Sequence, residues 1–394
     1  MIPFSEALDL LLQHSPELST ERCRIEHAAG RVLRAEIRAD RPFPSFDRVM
    51  MDGYALRSID LRLRRVFHVA GVAPAGQPMV DLSETPFACI EVMTGAPLPN
   101  GADCIVPVEE ILRTGAGEIT IAASFEFVAG RFIHRAGSDA AEGAVLLEPG
   151  RLLGSREIGV AASCGTAWLE VSRLPKIAVI ATGDELVAVD EMPAIHQIRQ
   201  SNAHAITSTL HRAGYPTHHT GTLGDDVKAS ADVLRARLDS CDWLILTGAV
   251  SKGARDFIPA MLDDLGCSRL FHGVAQRPGK PAGCWIGPAG QVIMALPGNP
   301  VSAITGLHAL VLPALAVASG LTVPRQRLVI PDGRLDGLPG MTHHLPVVLR
   351  DDGRAQAAAT GNSGDFIGLL KSDGYVTLPP RGASTAAYPF TPWL

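Results

Sequence analysis

The chain has 394 residues, of which 46% are hydrophobic and 19% charged, and its formal net charge is -6. This composition is typical of a globular protein with several buried cores. The net charge excludes a chain-wide basic field for nucleic acid, so any anionic ligand has to be held by local groups. Glycine (39 residues) and proline (29 residues) are frequent, which indicates many tight turns.

The cysteines and the apolar segments indicate which classes of protein this sequence can belong to. None of the seven cysteines is spaced as CxxC, which favours reduced thiols in a cytoplasmic protein over a disulfide framework or a zinc site. The segment MIPFSEALDLLLQHSPEL is interrupted by Glu6 and Asp9, so it predicts an amphipathic helix and not a secretory signal. The apolar run ITGLHALVLPALAVASG contains His308 and Pro313, and we judge it too short and too interrupted to predict a membrane span.

Taken in chain order, the residue patterns predict a multidomain α/β protein. Residues 1–40 and 131–174 form a discontinuous N-terminal domain of helical and extended segments. Residues 41–130, with short runs such as VFHVAG and EITIAASFEF broken by Gly and Pro, predict an inserted β-rich domain. Residues 322–394, with RLVIPDGRL and GYVTLPP, predict a small C-terminal β-barrel domain.

The central domain, residues 175–321, alternates buried strands with helices. KIAVIATG, THHTGTL, DWLILTG and QVIMALPGNP predict strands, and NAHAITSTLHRAG, VKASADVLRARLDS and RDFIPAMLDDLG predict helices between them. Alternation at this spacing predicts a mostly parallel sheet covered by helices, as in a three-layer α/β/α domain.

Glycine-containing turns with hydroxyl, acidic or cationic side chains follow nearly every strand of this domain. The candidates are Thr182, Gly183, Glu185, Asp225, Thr247, Gly248, Ser251, Asp256, Arg277, Gly279, Lys280, Pro297, Gly298, Asn299 and Pro300. Ligands of open parallel sheets bind beyond the carboxyl ends of the strands. Helix N-termini there favour anions, and carboxylates suit a hard divalent cation, so the pattern indicates phosphate and magnesium.

Each of these turns is by itself an ordinary β-turn or helix cap, which is a purely structural role. Five of them on one edge of one sheet favour a binding site. No GxGxxG follows a strand and no GxxxxGK[ST] occurs, so neither a dinucleotide-binding fold nor a P-loop fits.

Six motifs in this order, MDGYA, MTGAPLP, ATGDELV, TGAVSKGARDF, RPGKP and LPGNPVSA, resemble those of the MoeA family of molybdopterin molybdenumtransferases, which are related to the E domain of gephyrin. The resemblance runs over essentially the whole chain, and the central domain is also similar to the smaller molybdopterin adenylyltransferases. It implies a cytoplasmic homodimer that acts in molybdenum cofactor biosynthesis. The implied reaction inserts molybdenum from molybdate into adenylylated molybdopterin, requires magnesium and releases AMP.

The resemblance also implies partners and a second contributor to the site. Molybdoenzymes or adenylyltransferases are the implied protein partners, and no nucleic-acid or membrane partner is expected. In the family the MDGYA loop reaches the cleft of the partner subunit, which makes Asp52 a residue that faces molybdate, water or metal. The structural alternative for Asp52 is a turn carboxylate that accepts amide bonds near Gly53.

The other implied roles fall on residues of several motifs. Thr94 and Asp139 match positions that line the same cleft, and their structural alternatives are a turn cap and a solvated loop acid. Lys280 is expected to contact phosphate or molybdate. The implied catalytic set is therefore Asp52, Thr94, Asp139, Glu185 and Lys280. The implied magnesium ligands are Glu185, Asp225 and Asp256, and Asn202 joins the strand-end residues as a substrate-binding residue.

Some positions differ from the family pattern. Arg48 and Val49 stand where the family usually has Asn-Ser, and Gln200 and Ala254 each stand where it has an acid. Lys252 replaces an apolar residue, and Arg277 replaces a lysine. Most of these changes shift the cleft towards positive charge. They leave two hypotheses open: an enzyme with a retuned pocket, or a divergent non-catalytic paralogue that binds or carries the pterin or the finished cofactor. The retained acids and Lys280 favour the enzyme.

Overall fold

The computed structural model describes residues 1–115, 117–224, 227–248, 257–323, 326–358, 362–380, 383–384 and 387–394. The chain divides into two compact units. The larger unit contains residues 1–35, 149–158 and 168–394, and the smaller unit contains residues 36–148 and 159–167. The four-domain division made from the sequence is finer than this one and stays a prediction.

The described helices follow the predicted pattern closely, beginning with the amphipathic helix at the N-terminal end. The α-helices are Phe4–His14, Ser58–Leu61, Ser155–Ser163, Asn202–Arg212, Val227–Leu238, Ile258–Asp264, Pro300–Gly306, Leu312–Ala318 and Phe366–Leu369. A π-helical turn, Leu307–Val311, joins two of them, and Ile25–His27 and Val108–Glu110 are short 3-10 turns.

A six-stranded sheet forms the centre of the larger unit, and we call it the central sheet. In spatial order its strands are Thr217–Leu223, Ile177–Thr182, Trp243–Thr247, Val292–Leu296, Gly283–Ile286 and Ser268–His272. The first four strands run parallel and the last two pair antiparallel. The mostly parallel sheet is confirmed, and the structure adds an antiparallel edge that the sequence pattern did not predict.

Successive residues of the inner strands of the central sheet enter different hydrophobic cores. Ile177 and Val179 face one core, whereas Ala178 and Ile180 face the other, because side chains alternate across a strand. The first core is covered by the helices Phe4–His14, Asn202–Arg212 and Pro300–Gly306 with its continuation, and the second by Val227–Leu238 and Ile258–Asp264. Burial on both faces explains why these strands are continuous apolar runs, and it confirms the three-layer architecture.

The helical stretch Pro300–Ala318 has 19 residues and a mean hydropathy of 1.9 in its most apolar window, and it is the one described helix long and apolar enough to cross a membrane. The sequence expectation that this run is too short was therefore wrong. Within the protein, 78% of that window is buried, as it is in a core helix of a folded domain.

A second sheet, of seven strands, contains most of the C-terminal strands, and we call it the C-terminal sheet. Its strands are Ile2–Pro3, Val274–Arg277, Thr342–Leu349, Ala355–Ala357, Gly374–Leu378, Tyr388–Pro392 and Arg327–Val329. Val274–Arg277 pairs in parallel with Ile2–Pro3 on one side and with Thr342–Leu349 on the other. The chain therefore leaves the central sheet before the RPGKP motif.

The smaller unit is built on its own six-stranded sheet. In spatial order the strands are Cys104–Pro107, Gly53–Leu56, Ala88–Val92, Val66–Ala73, Glu118–Ile121 and Ile111–Gly115. Tyr54 and Leu56 enter one core and Ala55 the other, so all four residues of the strand Gly53–Leu56 are buried. The β-rich character predicted for this part of the chain is confirmed.

Short strand pairs complete the described structure. They are Thr20–Arg24 with Trp168–Ser172, Ile37–Arg38 with Val145–Leu147, Arg48–Val49 with Ile133–His134, Leu186–Val187 with Ile198–Arg199, and Leu335–Asp336 with Ala383–Ser384.

The seven cysteines are all buried and unpaired, and burial raises the pKa of Cys89 and Cys104 to about 12. A buried, protonated thiol is a packing group and not a nucleophile.

Candidate functional site

Three turns meet at the carboxyl edge of the central sheet, where the strands carrying Thr182, Thr247 and Leu296 end side by side. Thr182 Oγ1 donates a hydrogen bond to the carbonyl oxygen of Thr247 at 3.3 Å, and Thr247 Oγ1 donates to that of Pro297 at 3.2 Å. Both threonines are buried. Each strand-end hydroxyl therefore binds the neighbouring strand end, and we call the resulting set, 182–183, 247–248 and 297–299, the strand-end rim.

Gly248 allows the first two turns of the rim to approach each other. Its φ is +99°, and a Cβ at this position would lie 2.5 Å from the carbonyl oxygen of Thr182. A side chain is excluded on both grounds, since Cβ atoms do not approach a carbonyl that closely and L-residues rarely adopt this φ. The glycine that the sequence marked as a candidate is thus required for the rim itself.

Asn202, the first residue of the helix Asn202–Arg212, ties that helix to the rim. Its Nδ2 donates to the carbonyl oxygen of Gly298 at 2.7 Å and to Thr247 Oγ1 at 3.0 Å. Its Oδ1 is buried and has no hydrogen-bond partner among the described residues. A buried, unpartnered acceptor is costly, typically by about 1–3 kcal/mol, and it suits a ligand that brings an N–H or O–H donor.

A cavity of about 430 Å³, with a largely apolar lining, lies between the same helix and the edge strand of the central sheet. Gln200 and Thr207 line it, and Gln200 is only 9% exposed. The Oε1 of Gln200 and the Oγ1 of Thr207 are buried without a hydrogen-bond partner in the part of the chain that the structure describes. The cavity therefore offers unused polar atoms beside the rim.

The acids of the ATGDEL motif, Asp184 and Glu185, follow the end of the strand Ile177–Thr182. Glu185 is exposed, and its carboxylate lies against Gly183, where an added Cβ would come within 2.5 Å of Oε2. Asp184 Oδ1 lies beside Gly224, 2.9 Å from the point that a Cβ there would take. Three predicted site residues, Asp225, Ser251 and Asp256, lie outside the described residues.

The RPGKP loop is not part of the central sheet. The prediction that it follows a central strand is wrong, because Val274–Arg277 pairs within the C-terminal sheet. The strand segment CWI that follows the motif has strong pairing of its own in the central sheet, and this separates the loop from the strand before it. Arg277 and Lys280 are exposed, and a Cβ on Gly279 would lie 3.6 Å from the carbonyl oxygen of Ser302, which belongs to the helix after the LPGNP motif.

The LPGNP motif leads directly into a helix. Asn299 precedes the helix Pro300–Gly306, whose first residue is a proline, as is common at helix N-termini. Asn299 Nδ2 donates to Ser363 Oγ at 3.0 Å, and Ser363 accepts from the amide of Val301 at 3.1 Å through its carbonyl oxygen. The SGDF segment is thus fixed against the start of this helix.

In the smaller unit, the structure brings Asp52 and Thr94 together. Asp52 Oδ1 accepts hydrogen bonds from the amide of Thr94 at 2.6 Å and from its Oγ1 at 2.8 Å. The amide and then the hydroxyl of Thr94 lower the pKa of Asp52, so the side chain is a carboxylate over a wider pH range than usual. Both bonds between described residues go to Oδ1, which leaves Oδ2 for a ligand.

The residue after Asp52 explains why the loop is so tight. A Cβ on Gly53 would lie 2.1 Å from the carbonyl oxygen of Val106, in the neighbouring strand. Glycine is thus the residue that lets the strand Gly53–Leu56 pair on both edges directly beside the aspartate. The aspartate is held at the end of a rigid strand.

Asp139 is bound by residues other than Asp52 and Thr94. His134 and Asp139 are joined by a 2.7 Å hydrogen bond between Nε2 and Oδ1, and this bond is the main cause of a lowered pKa of Asp139. Arg48 Nη2 lies 3.1 Å from His134 Nδ1. Since arginine only donates, Nδ1 accepts and Nε2–H donates to the carboxylate. Arg48, which departs from the family pattern, is therefore the first member of this hydrogen-bonded chain.

Sequence reasoning missed His134, Thr207 and Ser363. Each is an ordinary polar residue in its local sequence, and each acquires its place only through a partner or cavity formed by a distant segment. The pattern of strand ends contains no signal for them.

These observations define a class of protein: a multidomain α/β protein with a glycine-lined rim at the carboxyl edge of a parallel sheet, of the kind that binds anionic ligands. Residues 2–165 match the family description "MoeA N-terminal region (domain I and II)", and residues 178–317 match "Probable molybdopterin binding domain". A Synechocystis protein named molybdopterin molybdenumtransferase is 34% identical over 402 residues, which cover 100% of both chains.

A second relative and a solved structure agree with this match. The molybdopterin molybdenumtransferase of Synechococcus elongatus is 38% identical over 315 residues, covering 77% of each chain. The crystal structure of a molybdopterin biosynthesis MoeA protein from Pyrococcus horikoshii superposes with a TM-score of 0.82 at 25% identity, covering 100% of both chains. The chain belongs to the MoeA family of molybdopterin molybdenumtransferases.

Proposed function

We propose that this protein inserts molybdenum from molybdate into adenylylated molybdopterin and releases AMP, as a step of molybdenum cofactor biosynthesis in the cytoplasm. The observation that carries the proposal is the 34% identity, over the full length of both chains, to a protein named molybdopterin molybdenumtransferase. The strand-end rim supports it, because the substrate is a long anion with a phosphoanhydride and the rim offers backbone approach without side chains.

The polar atoms beside the rim suit the pterin part of this substrate. Asn202 Oδ1 and Gln200 Oε1 are buried acceptors that lack partners among the described residues, and a pterin carries amino and ring N–H donors. Asn202 also holds the turn at Gly298 and the hydroxyl of Thr247, so a ligand bound to its Oδ1 lies directly against the rim. In this scheme Asn202 binds the substrate, and Thr182 and Thr247 act in substrate binding by holding the strand ends of the rim together.

Magnesium is proposed from the chemistry of the donor set. Glu185 carries an exposed carboxylate at the rim, and Asp225 and Asp256 are the other acids assigned to the ion, although both lie outside the described residues. Carboxylate oxygens fit the preference of Mg²⁺. The described residues by themselves contain no group of three or more His, Cys, Asp or Glu that could hold a metal, so the proposed ion depends on Asp225 and Asp256. When bound, the ion would offset the charge of the phosphoanhydride.

Asp52, Thr94, Asp139 and Lys280 complete the proposed catalytic set. Thr94 stabilises the ionised form of Asp52, which suits a carboxylate that has to orient water, molybdate or a metal ion. Lys280 and Arg277 present exposed positive charges for phosphate or molybdate. In the homodimer that the family resemblance implies, Asp52 of one subunit serves the central domain of the partner.

An AMP-release assay with adenylylated molybdopterin tests the function. We expect release that requires both molybdate and magnesium, and that stops when the ion is removed with a chelator. The matched control omits molybdate and keeps every other component. Tight binding of the pterin without AMP release under any of these conditions would contradict the proposal and favour the non-catalytic carrier. Release that is independent of molybdate would indicate hydrolysis of the phosphoanhydride without insertion of molybdenum, and would also contradict the proposal.

A further inference from the structure

Three polar side chains from three strands of the C-terminal sheet meet in its interior. Gln276 is fully buried and His344 is 1% exposed, and Thr377 lies opposite His344 on the neighbouring strand. The rings of Phe4 and Tyr375 pack edge-on against the histidine ring at centroid distances of 4.7 Å and 5.2 Å. Burying this much polarity is costly unless every group is hydrogen-bonded.

The hydrogen bonds of this cluster run in one direction. Gln276 Nε2 donates to the carbonyl oxygen of Gly279 at 3.1 Å, and a carbonyl can only accept, so Gln276 Oε1 faces His344. His344 Nε2 therefore carries its proton and donates to Oε1 at 3.3 Å. His344 Nδ1 accepts from Thr377 Oγ1 at 3.2 Å. Burial lowers the pKa of His344 to about 3, so the ring stays neutral and this tautomer persists at physiological pH.

This series of hydrogen bonds ends at the RPGKP loop. The carbonyl oxygen of Gly279 accepts from Gln276 Nε2 and from the amide of Ala282 at 3.1 Å, and the carbonyl oxygen of Lys280 accepts from the amide of Val274 at 2.9 Å. The loop is otherwise exposed at Arg277 and Lys280. Through its two hydrogen bonds, the side chain of Gln276 thus connects Gly279, in the middle of the loop, to His344 on the next strand of the sheet.

We propose that Thr377, His344 and Gln276 form a directional hydrogen-bond chain that fixes the loop 277–280, and so positions the cations of Arg277 and Lys280 for the anionic substrate. The inference rests on the proposed function for the identity of that substrate. The three side chains are positioning residues, since they act on the loop and not on the reacting atoms. A fixed loop holds the backbone of both cationic residues in place, and binding an anion then costs less ordering of the loop.

Two variants test the chain of bonds. Gln276→Leu removes the hydrogen bonds of Gln276 to Gly279 and to His344. His344→Phe keeps an aromatic ring between Phe4 and Tyr375 but removes both hydrogen bonds of the histidine. We expect either variant to raise the KM for molybdate or for the adenylylated substrate by about three- to tenfold, with a smaller change in kcat, because one or two hydrogen bonds of ordinary strength are lost. We expect the double variant to match the single variants, because the chain is already broken.

The matched control is His308→Phe. His308 is a second buried histidine of the larger unit, with hydrogen bonds to the carbonyl oxygen of Ile304 and the amide of Leu394 instead of the loop. We expect this variant to lower the thermal midpoint without changing either KM. His344→Gln, which retains an N–H near the place of Nε2, should restore part of the lost affinity.

Hydrogen exchange gives a readout that does not need turnover. We expect the amides of Val274 and Ala282, which donate to carbonyls of the loop, to exchange faster in Gln276→Leu and His344→Phe than in the wild type and in His308→Phe. The proposal would be overturned if these amides exchanged at the wild-type rate in both Gln276→Leu and His344→Phe. It would also be overturned if the increases in KM of the two single variants multiplied in the double variant. A wild-type protein that releases no AMP would instead overturn the proposed function, and the exchange data would still decide the hydrogen-bond chain.

Discussion

At the scale of single residues, the smaller unit shows how a fold keeps one carboxylate ionised. The two hydrogen bonds from Thr94 stabilise the charged form of Asp52, which is why the pKa is lowered. A lowered pKa in the folded state means that this stabilisation is present above the pKa of the unfolded chain. It is lost only as the pH falls through the folded-state value. Asp52 therefore keeps its charge at any pH near neutrality.

The proposed role of Asp52 predicts a large effect of Asp52→Asn. The amide keeps an oxygen that can accept from Thr94, but it removes the negative charge, so we expect AMP release to fall by about 100-fold or more with little change in the thermal midpoint. Both quantities are measured on the same preparation.

Asp103→Asn is the control for this variant. Asp103 is an exposed aspartate of the same unit that accepts from the amide of Ser58 through Oδ1 at 2.6 Å and from its hydroxyl through Oδ2 at 2.7 Å, so the donors are of the same kind but engage both oxygens. We expect it to keep wild-type activity. Equal losses in the two variants would assign Asp52 the turn role and not the catalytic one.

At the scale of elements, the strand-end rim depends on backbone approach. Gly248→Ala would place a Cβ 2.5 Å from the carbonyl oxygen of Thr182 at a φ of +99°, so we expect it to lower the free energy of unfolding by roughly 1–3 kcal/mol. The measurement is the shift of the urea midpoint.

Gly221→Ala provides the comparison within the same sheet. Gly221 lies in the strand Thr217–Leu223, and a Cβ there would meet nothing within 4 Å. We expect a change of a few tenths of a kcal/mol at most. A similar midpoint for the two variants would show that the rim tolerates a side chain at Gly248.

The elements of the central domain that could be predicted share one property. The strands Ile177–Thr182 and Trp243–Thr247 are buried at every residue, so their apolar runs carry the signal in the sequence. Ser268–His272 is half exposed and forms the antiparallel edge, and Val274–Arg277 has only four residues. The partners of these two strands are set by distant segments, and no local pattern indicates them.

The candidate site likewise has one part that the sequence predicts and another part that it does not. The rim was predictable, because parallel strands end at one edge and the turns there contain glycine and threonine. The bond between Asn299 and Ser363 joins residues 64 positions apart, and that between Gln276 and His344 joins residues 68 positions apart. Such pairs arise from tertiary packing, so neither spacing nor periodicity could reveal them.

At the scale of the whole molecule, the implied homodimer can be tested through the two proposed site residues. Asp52→Asn and Glu185→Gln are mixed as inactive homodimers under conditions that allow subunits to exchange. If Asp52 serves the partner's central domain, each heterodimer has one intact site, and random mixing restores about a quarter of the wild-type AMP release.

The control for this experiment mixes two preparations of Asp52→Asn, which should stay inactive. If mixing of the two different variants restores no activity while heterodimers are present, the site is formed within one chain. If only monomers are found at assay concentration, the homodimer itself is rejected.

One feature of the C-terminal sheet bears on how the chain is made. Ile2 and Pro3 form a strand whose partners are Val274 and Ala275, and that strand in turn is held by Thr342–Leu349. During synthesis Ile2 and Pro3 leave the ribosome long before any of these partners exists. The N-terminal helix can form early, but the strand ahead of it has to wait unpaired until most of the polypeptide has emerged, so closing this sheet belongs to the last stage of folding.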